Sequence, residues 1–263
     1  MRELKNIHDC GGALPDGFGL WTDRSARQSV RRKLAFTLIE LLTVIAIMGL
    51  LAGLIVGGAG LAKTKGTEAR IRGEMEKLVT AIDDFKAHHG FYPPDNVVSR
   101  NPYLIVNPVT NQLFYELVGT IYFTSDNEFQ TVKKDEIVRV NTIQRFFNTD
   151  GFVNAVKSTG NQAQDAKKLK NYLGALKPNQ FAEVASGADD LEVLKVPVDW
   201  PRGWPTAQHP VPSKPGLNPW RYVSTNPTNN PGSFDLWAEF VIGNEVKVIC
   251  NWRKDTALKK DVF

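Results

Sequence analysis

From Leu41 to Ala62 the chain carries no charged residue. At about 1.5 Å per helical residue, that run matches the roughly 30 Å hydrocarbon core of a bilayer. No other feature restricts the fold as strongly, because a helix this apolar must lie in lipid or against other apolar helices. Glu40 stands at its edge, where a carboxylate costs about 3 kcal/mol on insertion scales unless it neutralises or finds a partner. Its presence therefore demands a reason.

The apolar residues are unevenly spread. The chain is 42% hydrophobic and 23% charged, an ordinary globular content, yet one dense block near the N-terminus precedes a mixed remainder. One anchor and one soluble domain follow. The net charge of +4 is modest and bases alternate with acids beyond Lys63, so no broad cationic face for nucleic acid is expected. Cys10 and Cys250 flank the apolar block and cannot form a disulfide framework.

A cleaved secretory signal has a shorter apolar core and a small-x-small site, whereas this run ends in GGAGLAKTKG. Arg31-Arg32 before the block admits a twin-arginine signal, but paired bases beside apolar runs also serve orientation. An anchor, uncleaved or trimmed at its N-terminal side, accounts best for length and flanks. Charge alone leaves orientation nearly tied: Arg24, Arg27, Arg31, Arg32 and Lys33 lie upstream, and Lys63, Lys65, Arg70, Arg72 and Lys77 lie downstream. The tighter upstream cluster leans towards a cytoplasmic N-terminus.

The stretch KLAFTLIELLTVIAIMGLLAGL resembles the class III signal of type IV prepilins and type II secretion pseudopilins. The resemblance implies that a prepilin peptidase cuts between Ala35 and Phe36 and methylates the new amine of Phe36. Alanine replaces the family's usual glycine at the cut, and the leader, residues 1–35, is long enough that the true start codon is expected downstream. After cleavage Glu40 lies about one helical turn from a charged terminal amine. In the family this glutamate meets the amine of a neighbouring subunit, so both charges are compensated only on assembly. Gly49, Gly53 and Gly57 form consecutive G-x-x-x-G steps, suited either to close helix packing or to local loosening.

Beyond Ala62, Ile71, Met75, Leu78, Ile82 and Phe85 recur at helical spacing, so residues 63–90 read as an amphipathic continuation needing a sheet to cover it. His88-His89 suit the last turn, Gly90 a left-handed cap, and Pro93-Pro94 the stop. A metal on that histidine pair is disfavoured, since adjacent side chains diverge by about 100°. FKAHHGFYPPDN resembles the point where major G-type pseudopilins leave their long helix. LNPWRYVSTNPTNNPGSFDLWAEF resembles their carboxy-terminal pattern, through Asn218, Pro219, Trp220, Tyr222, Pro231, Gly232, Asp235 and Leu236.

The C-terminus independently reads as a hairpin. Phe234 to Ile242 and Val246 to Trp252 alternate about Gly243-Asn244, and Trp220 to Thr225 supplies a third strand. The middle, about residues 95–196, is a long insertion with helices expected near Gln112 to Val118 and Ala163 to Leu176. Val196 to Pro219, rich in proline and tryptophan, reads as an ordered irregular loop whose tryptophans pack internally, contact a cargo protein or stack on sugars. The expected fold class is α+β and pilin-like. A leader (1–35), a transmembrane helix (36–62) and the amphipathic half-helix (63–90) precede a periplasmic head (91–263) with a small antiparallel sheet.

G-type members commonly bind calcium in an acidic carboxy-terminal loop, but WAEFVIGNEVKV here has few clustered carboxylates, so no calcium or other cofactor is expected. Catalytic motifs are absent from the sequence, His209 sits alone in the proline-rich loop, and Asp83-Asp84 read as a solvated face. A non-enzymatic subunit is expected. By resemblance it is a pseudopilus subunit inserted once in the bacterial inner membrane, N-terminus cytoplasmic, and extracted into a periplasmic filament for type II secretion. Its implied partners are copies of itself, prepilin peptidase, an assembly-platform membrane protein and minor pseudopilins. Alternatives are a type IV pilus or minor pilin subunit, or a membrane-tethered periplasmic enzyme or carbohydrate-binding protein.

Overall fold

A computed structural model describes residues 36–99, 105–132, 136–185 and 191–263. The chain separates into two units at the Ala52–Gly53 junction. Helix α1, Leu38–His89, is continuous through it. α1 ends where the sequence predicts: Gly90 takes φ +85°, and its N–H donates to the Lys86 carbonyl at 2.8 Å. The rings of His89 and Phe85 lie 4.2 Å apart and those of His89 and His88 4.7 Å apart, so this pair belongs to an aromatic cluster. Burial, then the charges of His88 and Lys170, holds the His89 imidazole below its usual pKa.

The insertion between Asp95 and Val196 builds its own strands. β1 (Val97–Ser99) pairs antiparallel with β2 (Ile105–Val106), and α2 (Leu113–Val118) follows within the helix expected at 112–118. Strands β3 (Thr120–Phe123), β4 (Glu128–Thr131) and β5 (Ile137–Arg139) lead into α3 (Val140–Phe147), which Asn148 closes in the left-handed region at φ 54°. β6 (Ala155–Lys157) returns beside β3 in parallel, completing a four-stranded sheet of order β5-β4-β3-β6. α4 covers only Gln162–Ala166, so the helix expected from Ala163 to Leu176 is corrected to a short turn of helix followed by loop.

Long-range contacts explain that correction. The Asn171 side-chain oxygen accepts from the N–H groups of Leu173 and Gly174 at 2.9 Å each. The Tyr172 N–H donates to the Leu117 carbonyl at 2.9 Å. An Asx turn and a tie to α2 thus outcompete the local helical pattern.

After β7 (Phe181–Ala185) and β8 (Leu191–Leu194), an antiparallel pair, the proline-rich loop is closed by a bridge between Lys195 and Pro219. Trp200 is buried within it, as internal packing predicts. The C-terminal strands β9 (Arg221–Val223), β10 (Asp235–Ile242), β11 (Glu245–Cys250) and β12 (Ala257–Leu258) form an antiparallel sheet of order β12-β11-β10-β9. Ile242 faces Glu245 across the Gly243-Asn244 turn, and φ +62° at Gly243 is the first-position requirement of a type II′ turn.

The predicted stripe on α1 is buried. Ile71, Met75, Leu78, Ile82 and Phe85, with Ala81, join Leu236, Ala238, Phe240, Trp220 and Tyr222 in one core. The opposite face of β10 is covered as well, with Trp237 packed beside Val248, Cys250, Trp252 and Val262. Val262 and Phe263, whose ring lies 5.5 Å from that of Trp237, supply part of that cover.

Asp95 ties the exit of α1 to the end of β9. Its carboxylate accepts from the N–H groups of Ser224 at 2.7 Å and Thr225 at 2.6 Å, and from the Thr225 hydroxyl at 2.7 Å. Charge-assisted bonds of this kind are the strong ones. Asp95→Asn is expected to cost about 2 kcal/mol, read as a lower midpoint in chemical denaturation with an unchanged slope.

Candidate functional site

The exposed apolar segment of α1 begins with a reciprocal cap. Glu40 Oε2 accepts from the Thr37 N–H at 2.9 Å and from the Thr37 hydroxyl at 2.9 Å. In return the Glu40 N–H donates to Thr37 Oγ1 at 3.2 Å. This is a capping box, in which N-cap and third helical residue satisfy each other's free donors. The signal is the T-L-I-E stretch itself, an S/T-x-x-E pattern, which an expectation built on charge alone, with its partner in another subunit, passes over. In this chain Glu40 has a local one.

Leu38–Ile55 has a mean hydropathy of 2.5, and none of it is buried by the described residues. Phe36 is 81% exposed at its start, while Ala35 and the rest of the leader lie outside the described residues. A Cβ added at Gly49 or Gly53 would meet nothing within 4 Å. Among the described residues, then, no packing demands glycine at either position, and their missing side chains leave backbone open to an external helix. Gly57 lies in α1, and its surroundings are outside what is described. Further along, Glu68 is held between Lys65 at 3.1 Å and Lys247 at 3.5 Å, an ion-paired link from α1 to β11.

Two carboxylates of the C-terminal stretch are already engaged. Asp235 accepts from the N–H groups of Asn229 and Asn230, each at 2.9 Å. Glu239 pairs with Arg221 and Lys259 at 3.4 and 2.9 Å. Among the described residues no group of three or more His, Cys, Asp or Glu is placed to hold a metal ion. His209 is buried, with Nε2 3.0 Å from the Trp204 carbonyl, and Cys250 is a buried free thiol.

Two buried acids lie deeper in the head, and sequence reasoning did not find them because each sits within an apolar stretch. Glu116 is fully buried and accepts from the N–H groups of Val153 and Asn154, both at 2.9 Å. Burial outweighs those bonds and pushes its carboxyl up to about 7. Glu192 receives the Tyr115 hydroxyl at 2.8 Å, and burial together with Glu136 pushes it up to about 8.

Residues 30–56 match the prokaryotic N-terminal methylation motif. No curated protein and no solved structure matches the chain. The motif marks structural subunits and implies processing by a prepilin peptidase followed by filament assembly. Together with the one membrane-length apolar helix among the described residues and a mixed α+β head, it fits an inner-membrane protein of one pass and supports a type IV pilin-like or pseudopilin subunit.

Proposed function

We propose that this chain is a structural subunit of a pseudopilus-type filament serving type II protein secretion. Prepilin peptidase cuts it between Ala35 and Phe36 and methylates Phe36. An assembly-platform protein then draws it from the inner membrane into a helical fibre shared with minor pseudopilins. The Glu40 carboxylate meets the freed amine of the adjoining copy, and Gly49, Gly53 and Gly57 admit its helix. One observation carries the reading: an apolar helix, none of whose Leu38–Ile55 segment the described residues cover, begins with an acid inside a methylation motif. Exposed apolar area of that extent requires lipid before assembly and neighbouring helices afterwards.

Shearing and sedimentation of cells expressing the full chain with a prepilin peptidase and the assembly machinery test this. The expected result is trimmed chain in filament-sized material. Chain that remains wholly in membranes as a monomer contradicts it. Loss of folded-protein export on deletion, with surface pili intact, supports the secretion branch over the pilus branch.

A further inference from the structure

The C-terminal sheet is fixed along α1 at two levels. At the exit of α1 the ring of Tyr92 lies 5.1 Å from that of Phe234, just before β10 begins, and Asp95 binds Ser224 and Thr225. At the other level Lys247 of β11 reaches Glu68 at 3.5 Å. β10 therefore descends from the exit of α1 towards Glu68, and the Gly243-Asn244 turn lies beyond Lys247 on that course. Glu68 stands five residues after Lys63, the first charge beyond the apolar run, or about 8 Å along the helix. That is about one Debye length at physiological ionic strength. Residues 63–68 and the sheet belong to one unit of the chain, so in a chain anchored by its apolar helix this end of the head faces the bilayer surface.

The same end concentrates positive charge. Pairing of Lys247 with Leu258 brings Lys259 and Lys260 beside Val246 and Glu245, and all four line a cleft of about 420 Å³ with Leu258 and Phe263. Lys63, Lys65 and Lys260 are exposed, Lys259 keeps half of its side chain exposed, and Phe263 is 58% exposed. Residues 63–72, 245–247 and 257–263 together carry seven lysines and arginines against three acids, Glu68, Glu245 and Asp261. The rest of residues 36–263 carries eighteen against twenty-one, so the excess of base lies at this end. Glu239, which receives Lys259 at 2.9 Å, is also balanced by Arg221 at 3.4 Å. Lysines beside exposed apolar side chains are the pattern of segments that lie on anionic membranes.

We infer that this end of the head, through Lys63, Lys65, Lys247, Lys259 and Lys260, docks on the anionic headgroups of the bilayer that holds α1. The inference rests on the membrane-anchored reading above. Docking holds the head at the surface before assembly, and drawing α1 into a fibre breaks it.

Hydrogen exchange of the full chain in lipid nanodiscs tests it, the discs being phosphatidylcholine alone or phosphatidylcholine mixed two to one with phosphatidylglycerol. A lysine near an anionic surface contributes about fivefold. Amides of residues 245–247 and 257–261 are expected to exchange at least about fivefold more slowly in the anionic discs at low salt. The difference should vanish at about 1 M salt, where screening acts within about 3 Å. Lys259→Gln with Lys260→Gln should reduce it to less than about twofold, with near-ultraviolet circular dichroism confirming a folded head. Lys63→Gln with Lys65→Gln, on α1 and outside the sheet, should weaken it likewise. Lys86→Gln with Lys170→Gln, which removes the same charge beside the far end of α1, should leave it unchanged. Exchange equal in neutral and anionic discs, or slowed as much in Lys259→Gln with Lys260→Gln as in the parent, overturns the docking. Chain that does not co-elute with the discs overturns the anchored reading itself, so the two failures are distinct.

Discussion

Glu40→Gln is expected to abolish filament assembly as completely as Glu40→Ala, with the head folded in both. The comparison separates two roles for one side chain. As a capping residue Glu40 serves Thr37 through bonds of 2.9 Å, and glutamine is an accepted replacement at that position of a capping box. Losing the cap altogether costs about 1 kcal/mol of helix stability, too little to stop assembly. As a charge, Glu40 would compensate an amine in apolar surroundings, and glutamine cannot. Removing one member of such a pair costs about 3–5 kcal/mol per contact, a factor of about a hundred to several thousand in association. Sedimentation of filaments, with near-ultraviolet circular dichroism to follow the head, reads both variants. Assembly retained in Glu40→Gln and lost in Glu40→Ala would assign the residue to capping alone.

Raising the pH from 5 to 8 is expected to destabilise the head by about 3 kcal/mol through Glu116 alone. Its carboxyl rises from 4.5 to about 7 on folding, so the folded state holds the proton more tightly than the unfolded chain. That contribution is fully present below pH 4.5 and is lost as the pH climbs through 7. Glu192, raised to about 8, acts in the same direction, and its neighbours Glu136 and Glu183 reinforce the rise. Urea denaturation across this range should show a falling midpoint. Glu116→Gln should roughly halve the slope between pH 4.5 and 7 while leaving the contribution of Glu192, which runs from 4.5 to about 8. A midpoint that holds or rises between pH 5 and 8 would mean that the N–H groups of Val153 and Asn154 outweigh burial.

Local periodicity made the ends of the fold legible. The spacing of Ile71, Met75, Leu78, Ile82 and Phe85 gave one face of α1, and Gly90 gave its stop. The alternation about Gly243-Asn244 gave the β10–β11 hairpin. The insertion was less legible because distant partners decide it. Tyr172 is held by Leu117, Asn154 by Glu116 and Lys170, and β3 by the parallel β6. None of those pairings leaves a periodic trace. At the candidate site the acid was evident from charge alone, whereas its partner Thr37 required attention to the T-x-x-E spacing. The packing of the proline- and tryptophan-rich loop was legible in composition only. Which indole is buried, and that His209 turns Nδ1 away from every described partner, emerge from the fold.

Mass spectrometry of the mature amino terminus, on protein extracted from membranes of cells that contain a prepilin peptidase, tests the central claim most directly. A chain beginning at Phe36 with one added methyl group on its amine is the predicted product. A chain that still carries Ala35 would leave Glu40 without the amine that assembly requires, and would contradict the account.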